Sequence, residues 1–188
     1  MGGRGSLSPR RNYSKIYDKL NKIVEREYEK SLDELRQLYR DAVDKTKGGT
    51  QKQYKDLIRY AQNQGFDVIQ KDLSYIDPEL RGRTDIDEKR ILIDSKLSLS
   101  ERIKVLSHEI GHATMHADGK TEDVGQREAE AEAFSKLTTE TFGLENNNSS
   151  EYYIPGWMKK EGTPVSDFAK YKDKVIKTFS KMMDFLGL

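Results

Sequence analysis

The pentapeptide His108-Glu109-Ile110-Gly111-His112 constrains this chain more than any other stretch, because its residues act together only on a helix. Histidines four apart on a helix stand on one face, one turn from each other, with the intervening Glu beside them. Two neutral imidazole nitrogens so placed can reach one ion. A third protein ligand then leaves a fourth position for water, and the Glu is placed to take a proton from that water. The flanking sequence supports the helix: Ser98-Leu99-Ser100-Glu101 has the spacing of a capping box, and Ile103, Leu106 and Ile110 follow at helical intervals. The chain has 3 histidines, and all of them fall between His108 and His116.

A third ligand has to come from nearby, and a second predicted helix, from Arg127 to Phe142 with Gly143 as its stop, offers Glu128, Glu130, Glu132 and Glu140. At about 100° per residue, Glu128, Glu132, Ser135 and Thr139 share one face, while Glu130 points the other way with Phe134, Leu137 and Thr141. Only one carboxylate need meet the ion. The rest are expected on a solvated acidic face, as in most Glu runs on helices.

Composition removes other chemistries. There is no cysteine, which excludes disulfides, thiolate-bound zinc and thiol catalysis. Lys and Arg total 33 against 32 acidic residues, a net charge of +1, so no overall field favours nucleic acid or an anionic membrane. No apolar run is long enough for a membrane span and no signal-peptide core is seen, so the expected location is cytoplasmic, with secretion or injection by a dedicated route as the alternative.

The 188 residues divide into a flexible tail (1–11), an N-terminal helical region (12–64) and a domain carrying the histidines (65–188). Apolar residues from Tyr13 through Ile16, Leu20, Val24, Tyr28, Leu32, Leu35 and Tyr39 to Val43 recur every three or four positions. They predict a long amphipathic helix over 12–45, either packed on the domain or presented to a partner. A second helix runs from Thr50 to Asn63 and turns its Tyr54, Leu57, Ile58 and Ala61 inward. Phe66–Ile69 and Arg90–Asp94 read as strands. A final helix, capped at Thr163-Pro164, buries Val175, Phe179, Met182 and Met183. The fold class is therefore α+β: a small twisted sheet packed on the histidine-bearing helix, with further helices around it and the long N-terminal helix in addition.

The motif at 108–112, followed by Glu128-Ala129-Glu130-Ala131-Glu132-Ala133-Phe134, resembles the ImmA/IrrE family of metallopeptidases, whose second motif runs E-x-x-A-N/D-x-F-A. The stretch from Arg127, with Phe142-Gly143-Leu144 and Tyr153-Ile154-Pro155-Gly156-Trp157, is similar to the metallopeptidase domain of ArdC-type antirestriction proteins. Together the two resemblances cover 82–157. They imply a zincin-like, gluzincin-type fold with His108, His112 and Glu128 as zinc ligands and Glu109 as general base, and Glu130 is the alternative third ligand. Glu132 and Ser135 depart from the family's Asn or Asp and Ala, although a carboxylate one turn beyond Glu128 is on the right face to accept a proton from a ligating imidazole. The oxyanion donor is expected to be Tyr153, with Tyr152 and His116 as alternatives.

These features imply a zinc endopeptidase whose peptide or protein substrate lies as an added strand along Ile91–Asp94. The ImmA/IrrE resemblance supplies the biological substrate, a helix-turn-helix transcriptional repressor of a phage or mobile element, while the near-neutral charge gives no case for direct contact with nucleic acid or membrane. Two other readings use the same residues. One is a metal-containing binding or antirestriction module without proteolysis, gripping a partner through the 12–45 helix; the other is a delivered effector protease.

Overall fold

The computed structural model describes residues 40–41, 43–119, 124–145 and 168–188, the last segment without the side chains of 168–172. The tail, nearly all of the 12–45 helix and the aromatic stretch with Tyr152 and Tyr153 lie outside the described residues; at the end of the predicted helix Arg40, Asp41, Val43 and Asp44 are helical. The elements in order are α1 (Gln51–Asn63), β1 (Asp67–Lys71), β2 (Gly82–Asp85), β3 (Arg90–Asp94), α2 (Leu99–Met115), α3 (Val124–Thr141) and α4 (Phe168–Leu186).

Local sequence sets the helix starts. Thr50 caps α1 and Ser98 caps α2, each side chain accepting from the backbone three residues on while Gln53 or Glu101 reaches back to the cap. Both ends of the box are thus satisfied at each helix, so the start of α2, and with it the heights of His108 and His112, is fixed by side chains rather than by the loop.

The sheet is mixed, in the order β1-β3-β2. β1 runs parallel to β3, with Val68 beside Ile91, and β2 runs antiparallel to it, with Thr84 beside Ile91. β3 is therefore the central strand, and Ile91, Leu92, Ile93 and Asp94 are all buried. This corrects the expectation that a substrate lies along Ile91–Asp94, since both edges of that strand are already paired. β2, which its sequence Gly82-Arg83-Thr84-Asp85 did not mark as a strand, is the outer one next to α2. It has no apolar alternation, and its pairing comes from β3 rather than from its own β propensity.

α2 packs on β2 and β3 with one side and on α3 with the other. α3 in turn is covered by α2 and α4, where Phe134 meets Phe179 edge to face with ring centroids 6.1 Å apart. Every residue from Ala129 through Thr139 is buried, which overturns the expected solvated acidic face for Glu130 and Glu132: they and Lys136 stand inside the domain, whereas Glu140 is exposed as expected. The alternation of Ala129, Ala131 and Ala133 with these Glu residues lets neighbouring helices close around α3, and each buried charge then requires a partner.

Candidate metal centre

The contact between α2 and α3 is closest at Gly111. A Cβ there would lie 2.9 Å from Ala131 Cα and 3.3 Å from Ala131 Cβ, so only a glycine admits this approach. It carries Glu128, one turn before Ala131, to the two histidines that flank Gly111. His108 Nε2 and His112 Nε2 are 3.1 Å apart. Glu128 reaches the first at 3.3 Å through Oε2 and the second at 3.4 Å through Oε1. The three donor groups, His108, His112 and Glu128, lie within 4.8 Å of one another.

Each imidazole is held from behind. His108 Nδ1 donates to Glu132 Oε2 at 3.1 Å, and Glu132 Oε1 accepts from Lys104 Nζ; neither Glu132 nor Lys104 is exposed. The longer Glu in place of the family's Asn or Asp thus spans both groups. Ser135, the other departure, donates to the Lys104 carbonyl at 3.1 Å and lies 2.9 Å from Ser107 Oγ, continuing a polar seam between α2 and α3. His112 Nδ1 lies 3.1 Å from His116 Nδ1, and His116 Nε2 donates to Glu130 Oε2 at 2.7 Å. Glu130 Oε1 accepts from Gln126 Nε2 at 3.1 Å, and Oε2 accepts from Lys174 Nζ of α4 at 3.0 Å. Glu130, the alternative third ligand, is therefore engaged away from the donor group. His116, offered as an oxyanion donor, has both ring nitrogens in use.

Glu109 stands beside this group without joining it. Thr84 Oγ1 lies 2.7 Å from Glu109 Oε2 and 3.0 Å from the Glu109 carbonyl, two acceptors for its single proton. The backbone of β2 comes so near that a Cβ on Gly82 would sit 2.4 Å from Val105 Cγ1 and 3.2 Å from Glu109 Oε1. A missing side chain on the edge strand thus makes room for the carboxylate.

The electrostatics suit a cation. Burial disfavours charge on His108, but hydrogen bonds to Glu128 and Glu132 and the charges of Glu128 and Glu109 outweigh it and raise its pKa from 6.5 to about 10. Burial likewise works against ionised Glu128, yet the two histidines hold it well below the usual carboxylate range. Glu132 is held at about 2 against its burial by Lys104 and His108. His116 is different: burial dominates and pushes it below its ordinary value despite Glu130. Two imidazole nitrogens with their other nitrogens engaged, plus one ionised carboxylate, fit a borderline divalent ion such as zinc.

Sequence spacing led to His108, Glu109 and His112, and the family pattern led to Glu128. Lys104, Thr84 and Lys174 were missed. Lys104 carried a signal, being one turn before His108 on the same helical face between Ile103 and Val105. Thr84 carried none, because its strand was not legible.

An α+β fold with two histidines and a glutamate converging beside a buried glutamate defines a candidate metallopeptidase centre. The chain belongs to the peptidase M78 family: the model of the IrrE N-terminal-like domain matches residues 61–156. That span holds β1 to β3, α2, α3 and every member of the donor group, whereas α4 lies beyond it. No curated protein and no solved structure matches the chain.

Proposed function

We propose that the protein is a zinc-dependent endopeptidase in which His108, His112 and Glu128 hold the ion and Glu109 is the general base. The observation that carries this is the division of labour among four adjacent side chains. Three donors converge within 4.8 Å, while the fourth is kept apart by Thr84 at 2.7 Å. Zinc bound there would supply Lewis-acid polarisation of the scissile carbonyl and acidify a water molecule.

The chain's own groups do the rest. Thr84 occupies Glu109 Oε2, so the proton of the attacking water is taken at Oε1 and handed on to the leaving amine. The shell behind the imidazoles fixes which nitrogen faces the ion. Among the described residues β2 pairs on one side only, with β3, and it adjoins Glu109. It is the edge along which an extended peptide would add as a strand, presenting its carbonyl beside the base. With His116 committed elsewhere, Tyr153 is the proposed donor to the developing oxyanion.

Family membership supports a protein or peptide substrate. The specific proposal, from the ImmA/IrrE resemblance, is site-specific cleavage of a transcriptional repressor of a phage or mobile element. No described helix is long and apolar enough to cross a membrane. The test is zinc stoichiometry together with proteolysis: chelation is expected to abolish cleavage, zinc to restore it, and Tyr153→Phe to lower turnover without loss of metal. Cleavage that persists after complete metal removal would overturn the proposal.

A further inference from the structure

His112 is supported through a longer chain than His108. Where His108 meets a carboxylate directly, His112 meets a second imidazole, that imidazole meets Glu130, and Glu130 meets Lys174 on α4. His116 and Glu130 are buried, and the His112 and His116 rings are tilted by 56° with centroids 5.2 Å apart.

With both rings neutral, the state in which His112 can offer a nitrogen to an ion, proton counting along this chain leaves one arrangement. Glu130, ionised and paired with Lys174, can only accept, so His116 carries its proton at Nε2. His116 Nδ1 is then a lone pair and accepts from His112, which must carry its proton at Nδ1. His112 Nε2 is consequently a lone pair, directed at Glu128 and His108 Nε2. The carboxylate of Glu130 thereby dictates, through an intervening ring, which nitrogen of His112 is available to an ion.

We propose that His116 is a positioning residue that locks His112 in its metal-binding tautomer, and that Glu130 and Lys174 set the direction of the lock. This rests on the reading of His112 as a ligand. It also gives α4, which lies outside the family-matched span 61–156, a part in the centre: its Lys174 supplies the charge at the far end of the relay.

The test uses the full chain, stripped with a chelator and titrated with Zn2+ against a chromophoric competitor, together with 15N-imidazole NMR of the zinc-loaded wild type. His116→Leu is expected to weaken zinc by about 10- to 100-fold. His116→Gln, whose amide can accept from His112 and donate to Glu130, is expected to stay within a few-fold of wild type. Lys174→Met is expected to give a smaller loss than His116→Leu. The NMR spectrum is expected to show His116 protonated at Nε2 and His112 at Nδ1. A His116→Leu protein that melts like wild type without metal and binds zinc as tightly would overturn the proposal. So would a Gln variant as impaired as Leu, or His116 protonated at Nδ1 in the wild type, a result available even if the Leu variant does not fold. Wild type that binds no zinc would instead overturn the ligand assignment itself.

Discussion

Lys104 and Glu132 are a fully buried ion pair whose carboxylate also holds the first histidine, so the loss of either charge unbalances a buried group. Lys104→Met is expected to cost on the order of 3 kcal/mol in urea denaturation of the metal-free protein, since it leaves Glu132 without its ammonium partner. Adding Glu132→Gln should recover much of that loss, and a double-mutant cycle measures the difference. Among the α3 carboxylates, Glu128→Ala is expected to remove the tightly held metal, whereas Glu130→Ala retains binding weakened by about 10- to 100-fold, as for loss of a supporting partner. The reverse order in metal analysis would exchange their roles. At this scale the sequence was legible where spacing alone fixes geometry, as for His108, Glu109 and His112. It was illegible where a residue matters because of its neighbour from another element, as Thr84 does for Glu109.

The helices differ in how well periodicity reported them. α1 and α4 each bury one stripe, and their inward residues Tyr54 and Leu57, or Phe179 and Met182, follow from steps of three and four. From Ala129 to Thr139 α3 is enclosed, so Glu130 and Glu132 gave no clue that they were interior: a stretch with no solvent face has no polar side for the pattern to reveal. The strand Gly82-Arg83-Thr84-Asp85 was hidden for the opposite reason, having no apolar side chain to alternate. What aligns these elements on the site is the approach of α2 to α3 at Gly111. Gly111→Val is expected to force the helices apart, costing about 1–3 kcal/mol as overpacking and weakening metal by moving Glu128 from the histidines. Unfolding curves and a zinc competition titration read the two effects separately, and a Gly111→Val protein with wild-type zinc affinity would show that this contact does not set the ligand spacing.

For the whole molecule, the same charges make stability depend on pH in two directions. The pKa of Glu132 is depressed from 4.5 to about 2, so its contribution is full above pH 4.5 and is lost as pH falls toward 2. The pKa of His108 is raised from 6.5 to about 10, so its contribution is full below pH 6.5 and is lost as pH rises through 10. Glu132 and His108 together place the greatest stability of the metal-free protein between pH 4.5 and 6.5, with thermal midpoints falling on either side. His116, held below its ordinary value by burial, moves it toward the upper end of that window. Zinc has to displace the His108 proton, so its affinity should rise by about tenfold per pH unit near neutrality, with about one proton released per ion in calorimetry across buffers of different ionisation enthalpy. An affinity independent of pH would show that His108 is not charged before metal binds. The central claim is that Glu109 activates water at a metal centre it does not itself hold. Its most direct measurement is mass spectrometry of a proteome-derived peptide library incubated in 18O-enriched water with zinc-loaded wild type and zinc-loaded Glu109→Gln, metal content being determined on both. Wild type is expected to generate new C-termini carrying 18O, and the variant, equally loaded, to generate them at a rate lower by roughly two or more orders of magnitude, as for loss of a general base. Equal labelling by a metal-replete Glu109→Gln protein would contradict the assignment of Glu109 as the base.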